Sequence, residues 1–163
     1  MCSSDLHKSD LELIANTCLA AGVSGIIATN TTISRPPDLV GLNAGEAGGL
    51  SGAPLFTMAT DVLASLARQT KGKLGLIGAG GISSGWQAYA KILVGADLVQ
   101  LYTALALEGP SVPADVLSQV AALMVADGVK TLDEIRGQIP NPQKAVNYAL
   151  RRLETLSELP EAG

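Results

Sequence analysis

The chain has 163 residues with a net charge of −4, and 47% of them are hydrophobic, 16% charged and 3% aromatic, with 18 glycines. That supplies a domain-sized core and excludes a disordered segment, while the many small residues suit tight strand-to-helix turns. The acidic balance without a basic run excludes nucleic acid and an electrostatic membrane anchor; one histidine and two isolated cysteines, Cys2 and Cys18, exclude a zinc or iron–sulfur ligand set and fit a reducing compartment; and no apolar run approaches the ~18 residues of a membrane span.

Residues 1–6 (MCSSDL) show no capping, turn or periodic logic. They match the translation of a common sequencing-adapter end, so residues 1–8 are expected to be a non-native or disordered leader. Ser9 and Glu12 read as a capping box for a helix with Leu11, Ile14 and Cys18 on one face, closed by Gly22. Residues 23–29 (VSGIIAT) read as a buried strand. A loop follows over residues 30–53, rich in Gly, Asn and Pro, and a loop that long inside a compact domain usually has a function. Pro54 opens a helix with Leu55, Met58, Val62 and Leu66 along its apolar stripe. Residues 74–79 (LGLIGA) are the second strand. Ser84 and Gln87 cap the next helix, which Gly95 ends, and residues 97–102 (DLVQLY) are the third strand. Pro113 opens a helix with Val116, Leu117, Val120 and Met124 on one face. Thr131 and Glu134 cap a short one. Asn141 and Pro142 start a last helix with Val146, Ala149, Leu153 and Leu156 on one side, so residues 9–140 are expected to form the main domain and 141–163 a helical tail. Apolar strands alternating with helices predict an α/β fold with a parallel sheet buried on both faces. Three strands are too few to close a barrel of eight.

In such folds ligands bind at the C-terminal edge of the sheet, which singles out three strand ends. Gly80 and Gly81, followed by the helix that Ser84 starts, can bring amides and a helix N-terminus to an anion such as phosphate. The same glycines could serve a tight turn for shape alone. Ser83 breaks the GxGxxG dinucleotide pattern, and no Walker-type lysine is present. Asn30, between Thr29 and Thr31, offers donor and acceptor in one plane, as recognition of an amide or imide ring requires, or it simply begins a turn. Tyr102 and Thr103 end the third strand. Gly48, Gly49, Leu50, Ser51 and Gly52 close the long loop with unencumbered amides, as a ligand contact or as a hinge. Trp86, Tyr89 and Cys18 read as packing, His7 and the Arg151–Arg152 pair as solvated, and Asp133 with Glu134 as helix-capping charge.

Four blocks then stand together in order: IIATNTTISRP (26–36), AGGLSGAPL (47–55), LIGAGGISSGWQAYAKILVGADLVQLYTAL (76–105) and EGP (108–110). They resemble the class 2, quinone-dependent dihydroorotate dehydrogenases, densely from about Asp10 to Asp127. The resemblance implies the C-terminal portion, about three βα units, of a (β/α)8 TIM barrel. It implies an FMN enzyme that oxidises (S)-dihydroorotate to orotate with a quinone as acceptor in pyrimidine (UMP) biosynthesis, held peripherally at the cytoplasmic side of a membrane. By the same resemblance Thr29, Gly52, Gly81, Tyr102 and Thr103 contact FMN, the glycines and the Tyr–Thr amides at its phosphate, and Asn30 and Thr31 bind the substrate. The family's catalytic serine, its flavin-contacting lysine strand and its quinone-collecting N-terminal helices are expected to lie outside this chain, which would then be inactive alone. No family role attaches to the helix from Asn141. Two rivals remain at this point: a class 1 enzyme using fumarate or NAD, and a non-flavin barrel that binds a sugar phosphate or imidazole ribotide.

Overall fold

Local signals set most of the elements. The structure, a computed structural model, describes residues 1–37, 39–41 and 43–157. Helix α1 (Lys8–Ala21) leads to strand β1 (Gly25–Ala28), and the long loop ends in one 3-10 turn (Ala53–Leu55) that runs into α2 (Phe56–Thr70). Strand β2 (Gly75–Ala79), α3 (Gly85–Val94), β3 (Leu98–Gln100), α4 (Thr103–Glu108) and α5 (Val112–Asp127) follow, then a second 3-10 turn (Leu132–Glu134) and α6 (Pro142–Ser157). The capping boxes expected at Ser84 with Gln87 and at Thr131 with Glu134 are both formed. Helix α1 starts earlier than Ser9 would set it. The Asp10 carboxylate accepts the His7 amide at 3.2 Å, which makes His7, expected to be solvated linker, the N-cap. The short helix α4 was not expected, because Leu105 and Leu107 are exposed and no side chain caps its start.

Among the described residues the sheet has three parallel strands in the order β1-β2-β3. The register pairs Gly25 with Gly75 and Ala28 with Gly78, then Ile77 with Leu98 and Ala79 with Gln100. Three parallel strands with crossover helices form a sector of an eight-stranded barrel, not a closed one. Gly25 and Gly75 pair too closely for a side chain: a Cβ on Gly25 would lie 2.5 Å from the Gly75 carbonyl oxygen. Among the described residues no strand pairs with the far side of β3, and Leu98 is 63% exposed.

Residues at the start of the chain, expected to be a non-native or disordered leader, pack against the sheet. Cys2 makes a parallel bridge to Ala28, its amide donates to the Ile27 carbonyl and its carbonyl accepts from the Asn30 amide, both at 2.8 Å. Its side chain is buried, and burial pushes the thiol pKa up. The place beside β1, where a preceding barrel strand would pair, is thus taken by this chain, although residues 1–7 contain no lysine.

Helix α3 is enclosed. From Ala88 to Val94 every residue is buried, because α2, α5, α6 and β3 pack around it. One of those residues is Lys91. Its Nζ donates to Thr60 Oγ1 at 3.1 Å and lies 5.1 Å from the centre of the Phe56 ring. Burial pushes its pKa down to about 7, opposed in part by Asp61.

Helix α6 belongs to the same core, with Ala145 and Ala149 buried. The rest of the expected tail, 158–163, lies outside the described residues. Asp127 ties α6 down: its carboxylate accepts from Tyr89 Oη at 2.6 Å and Tyr148 Oη at 2.9 Å and pairs with Arg152 Nε at 2.5 Å. Arg152 is therefore not the solvated residue expected from its neighbour-pair pattern. Burial first, then Asp127, drives the Tyr89 phenol pKa far above its ordinary value. In the whole protein, Asp127→Ala should lower the unfolding free energy by about 2–3 kcal/mol, because it strands a buried phenol and a half-buried guanidinium together. Tyr89→Phe, which removes one donor, should cost about 1 kcal/mol. Urea unfolding of the two variants checks the ratio; equal losses would mean the carboxylate serves Tyr89 alone.

Candidate functional site

A cavity of 620 Å³ opens at the C-terminal edge of the sheet. Residues following all three strands line it: Thr29, Asn30 and Thr31 after β1, Gly80 to Ser83 after β2, and Leu101 to Ala104 after β3. The last residues of the long loop, Ser51 to Pro54, form its remaining wall. The seven residues to which the resemblance assigns a role, Thr29, Asn30, Thr31, Gly52, Gly81, Tyr102 and Thr103, border this one cavity, as do Ser51 and Gly80, whereas Gly48, Gly49 and Leu50 do not. Parallel strands make this happen, since they end at one edge and send their exit loops to the same side. A cavity of 690 Å³ between α1 and α2, lined by Lys8, Leu11, Arg35, Asp61 and Arg68 among others, is larger but holds none of the seven.

The local geometry differs from residue to residue. Thr29 is buried and its amide donates to the Ala79 carbonyl at 3.2 Å, yet its Oγ1 has no hydrogen-bond partner. A buried hydroxyl without a partner costs about 1–3 kcal/mol, so it is ready to bond a ligand. Asn30 and Thr31 are exposed. Asn30 Oδ1 accepts the Thr31 amide at 2.9 Å, and the Thr31 side chain lies against Gly49 so closely that a Cβ there would collide with it.

Gly81 has φ +74°, and a Cβ on it would lie 2.5 Å from Phe56 Cβ and 2.7 Å from the Phe56 amide nitrogen. Glycine is thus required there both for conformation and for the contact between the β2 turn and the start of α2. The tight-turn reading of the glycine pair holds, and the same turn lines the cavity. Gly52, at φ +80°, faces Thr103, whose Cγ2 would stand 3.2 Å from a Cβ on it, and Thr103 Oγ1 donates to Ser51 Oγ at 3.1 Å. These contacts join the end of the long loop to the start of α4. Tyr102 precedes α4 and is 78% exposed.

Glu108 and the Tyr102 phenol are the ionisable side chains among the described lining residues; the other polar groups are hydroxyls, carboxamides and backbone, set among apolar side chains such as Leu55, Ile82, Leu101 and Leu107. Such a wall can hold an anionic group through amide N–H donors and a neutral polar ring through hydroxyls and a carboxamide. Met1 and Gln100 also line it and were not singled out. Gln100, a polar residue ending an apolar strand, carried a readable signal; Met1 did not. Among the described residues, no group of three or more His, Cys, Asp or Glu is placed to hold a metal ion, and no helix is long and apolar enough to cross a membrane.

Comparison with known proteins gives a consistent result. The family model described as dihydroorotate dehydrogenase matches residues 2–124. The chain is 50% identical over 133 residues to the dihydroorotate dehydrogenase (quinone) of Azorhizobium caulinodans, covering 82% of this chain and 37% of that protein. It is also 50% identical over 134 residues to the mitochondrial dihydroorotate dehydrogenase (quinone) of Oryza sativa subsp. japonica, covering 82% and 29%. A crystal structure of DHODH from Eimeria tenella in complex with ferulenol superposes with a TM-score of 0.81 at 34% identity, over 83% of this chain and 36% of the other. The chain therefore spans between 29% and 37% of the length of these relatives.

Proposed function

The chain belongs to the dihydroorotate dehydrogenase family, and from that membership we propose that the whole protein oxidises (S)-dihydroorotate to orotate and delivers the electrons to a quinone, in pyrimidine (UMP) biosynthesis. FMN, when bound, would supply the hydride acceptor and carry the electrons onward. The residues present fit such a group: a buried, unpartnered hydroxyl at Thr29 and a glycine turn at the same sheet edge. In this reading Thr29 Oγ1 bonds the cofactor. Gly52 and Gly81, with the amides of Tyr102 and Thr103, hold its phosphate. Asn30 and Thr31 bind the polar edge of dihydroorotate, and the closed loop end at Gly52 helps exclude water. The quinone is met at a membrane surface through parts of the whole protein beyond this segment, which places the enzyme peripherally on the cytoplasmic side.

The observation that carries the reading is that the family match contains all seven residues given roles above, and that all seven line one cavity. The relatives named above are quinone enzymes, which favours a quinone over fumarate or NAD. The test is the whole protein, purified and assayed. It should be yellow and should reduce a soluble quinone only when dihydroorotate is supplied. A colourless protein that binds simple phosphates would overturn the flavin reading in favour of a sugar-phosphate barrel. Turnover with fumarate or NAD but not quinone would overturn the acceptor.

A further inference from the structure

Asn30 and Thr31 are exposed at the start of a 24-residue loop, yet the residues just after them are held from two sides. On one side stands Asp5. Its Oδ1 accepts from Thr32 Oγ1 at 2.5 Å and from Ser34 Oγ at 3.0 Å, and its Oδ2 accepts the Ile33 amide at 3.1 Å. These bonds, that from Thr32 foremost, hold the Asp5 carboxyl below its ordinary pKa. On the other side stands Arg35. Its Nη1 donates to the carbonyls of Ile33 at 3.1 Å and Ser34 at 3.2 Å, and its Nη2 to those of Glu46 at 2.7 Å and Gly48 at 2.8 Å.

The division of labour is chemical. A carboxylate can only accept, and it takes the donors of residues 32–34; a guanidinium can only donate, and it takes their carbonyls. Arg35 also reaches across the loop and fastens its beginning to its end, next to Gly49, which presses on the Thr31 side chain. Thr32 and Leu50 complete the closure by exchanging backbone bonds at 2.7 and 3.1 Å. Neither Asp5 nor Arg35 lines the cavity of the candidate site. Their effect reaches a ligand through the backbone they hold, that of Asn30 and Thr31 first.

We propose that Asp5 and Arg35 are positioning residues that bracket residues 32–34 and so hold Asn30 and Thr31 in the geometry that receives dihydroorotate; this rests on the function proposed above. In the whole enzyme, Asp5→Asn puts an amide donor where two hydroxyls and a backbone amide already donate. Arg35→Lys keeps the charge but loses the fork that spans both loop ends. Each should raise KM for dihydroorotate by about tenfold, the scale of one or two lost hydrogen bonds, with flavin content and melting temperature close to wild type. Combined with Asn30→Ala, Asp5→Asn should add much less than its effect alone, because the residue it positions is gone. Hydrogen exchange gives a reading that needs no substrate: amides of residues 30–34 should exchange faster in both variants, and those of α3 should not. Loss of flavin and of melting temperature together, with KM unchanged, would show a merely structural role and overturn the proposal. If the wild-type enzyme does not turn over dihydroorotate, the proposed function fails, and unchanged exchange at residues 30–34 would then overturn the bracket separately.

Discussion

Gly81→Val in the whole protein is expected to purify without flavin, while Asn30→Ala keeps its flavin and loses turnover. The valine meets Phe56 first. Its Cβ would lie 2.5–2.7 Å from the Cβ, Cα and nitrogen of Phe56, at a backbone φ of +74° that a β-branched residue does not adopt. Phe56 cannot retreat. Its ring packs edge-on against Trp86 at 5.3 Å and beneath the Lys91 ammonium group, and its carbonyl accepts from Thr60 at 2.6 Å. The β2 turn and the start of α2 must therefore separate, and the cavity wall between them opens where the phosphate is proposed to sit. Because such a change risks wider unfolding, Thr29→Val is the gentler companion. It is nearly isosteric and deletes only the buried, unpartnered hydroxyl. It should weaken flavin retention by about tenfold without lowering the melting temperature of the flavin-free protein. Asn30→Ala removes a carboxamide that borders the cavity and touches neither Phe56 nor Thr103. Losing its bonds to substrate should cost about 1–3 kcal/mol, or roughly ten- to more than a hundredfold in kcat/KM. Flavin absorbance per polypeptide and steady-state kinetics separate the two roles. A flavin-free Asn30→Ala beside a flavin-replete Gly81→Val would reverse them.

Lys91→Met should stabilise the whole protein at neutral pH and flatten its stability across the alkaline range. The lysine is fully buried and its pKa lies near 7 instead of its ordinary 10.5. In the unfolded chain it takes up a proton as pH falls through 10.5; in the folded chain it does so only near 7. The unfolded state thus binds more protons between those values, so the lysine lowers stability progressively as pH falls from 10.5 to 7 and adds nothing further below. Each unit of depression corresponds to about 1.4 kcal/mol, which makes a contribution of a few kcal/mol at neutral pH. Methionine fills similar space without the charge, and Thr60 keeps its bond to the Phe56 carbonyl. Cys2 and Tyr89 also titrate at alkaline pH, but they are common to both proteins and cancel in the difference. Melting temperatures of the two proteins should therefore diverge most near pH 7 and converge above pH 10. A variant that melts lower at pH 7.5 with the wild-type slope intact would mean that the buried ammonium is fully compensated where it lies.

Signals that act within one or two helical turns were readable from the chain. Ser84 with Gln87, Thr131 with Glu134, and Gly22 placed their helix ends, and apolar runs placed the three strands to within a few residues. Competition between two such signals was harder: Asp10 and Glu12 both offer a carboxylate, and only the fold shows that Asp10 reaches back. Interactions between distant residues were not readable. Cys2 bridges to Ala28, Arg152 reaches Asp127 and Lys91 reaches Thr60, and nothing near any of these residues in the chain announces its partner. The site divides the same way. That strand ends would share one edge follows from alternation alone, whereas the need for glycine at 81 comes from Phe56, 25 residues earlier. Asp5 was passed over because residues 1–6 read as a translated adapter end, and Arg35 because an arginine in a loop looks like solvated surface.

Strand β3 presents one side to β2 and, among the described residues, nothing to its other side. In the language of assembly, the sheet has an open valence there. A parallel edge of this kind displays N–H and C=O groups at a fixed repeat, and the exposed Leu98 adds an apolar surface beside them. Such an edge is matched by another strand far better than by water, and it does not discriminate strongly between a strand of its own molecule and a strand of its neighbour. The same geometry that lets three βα units slot into a ring of eight also makes them adhesive when the ring is not complete, so that here barrel closure and solubility are one property.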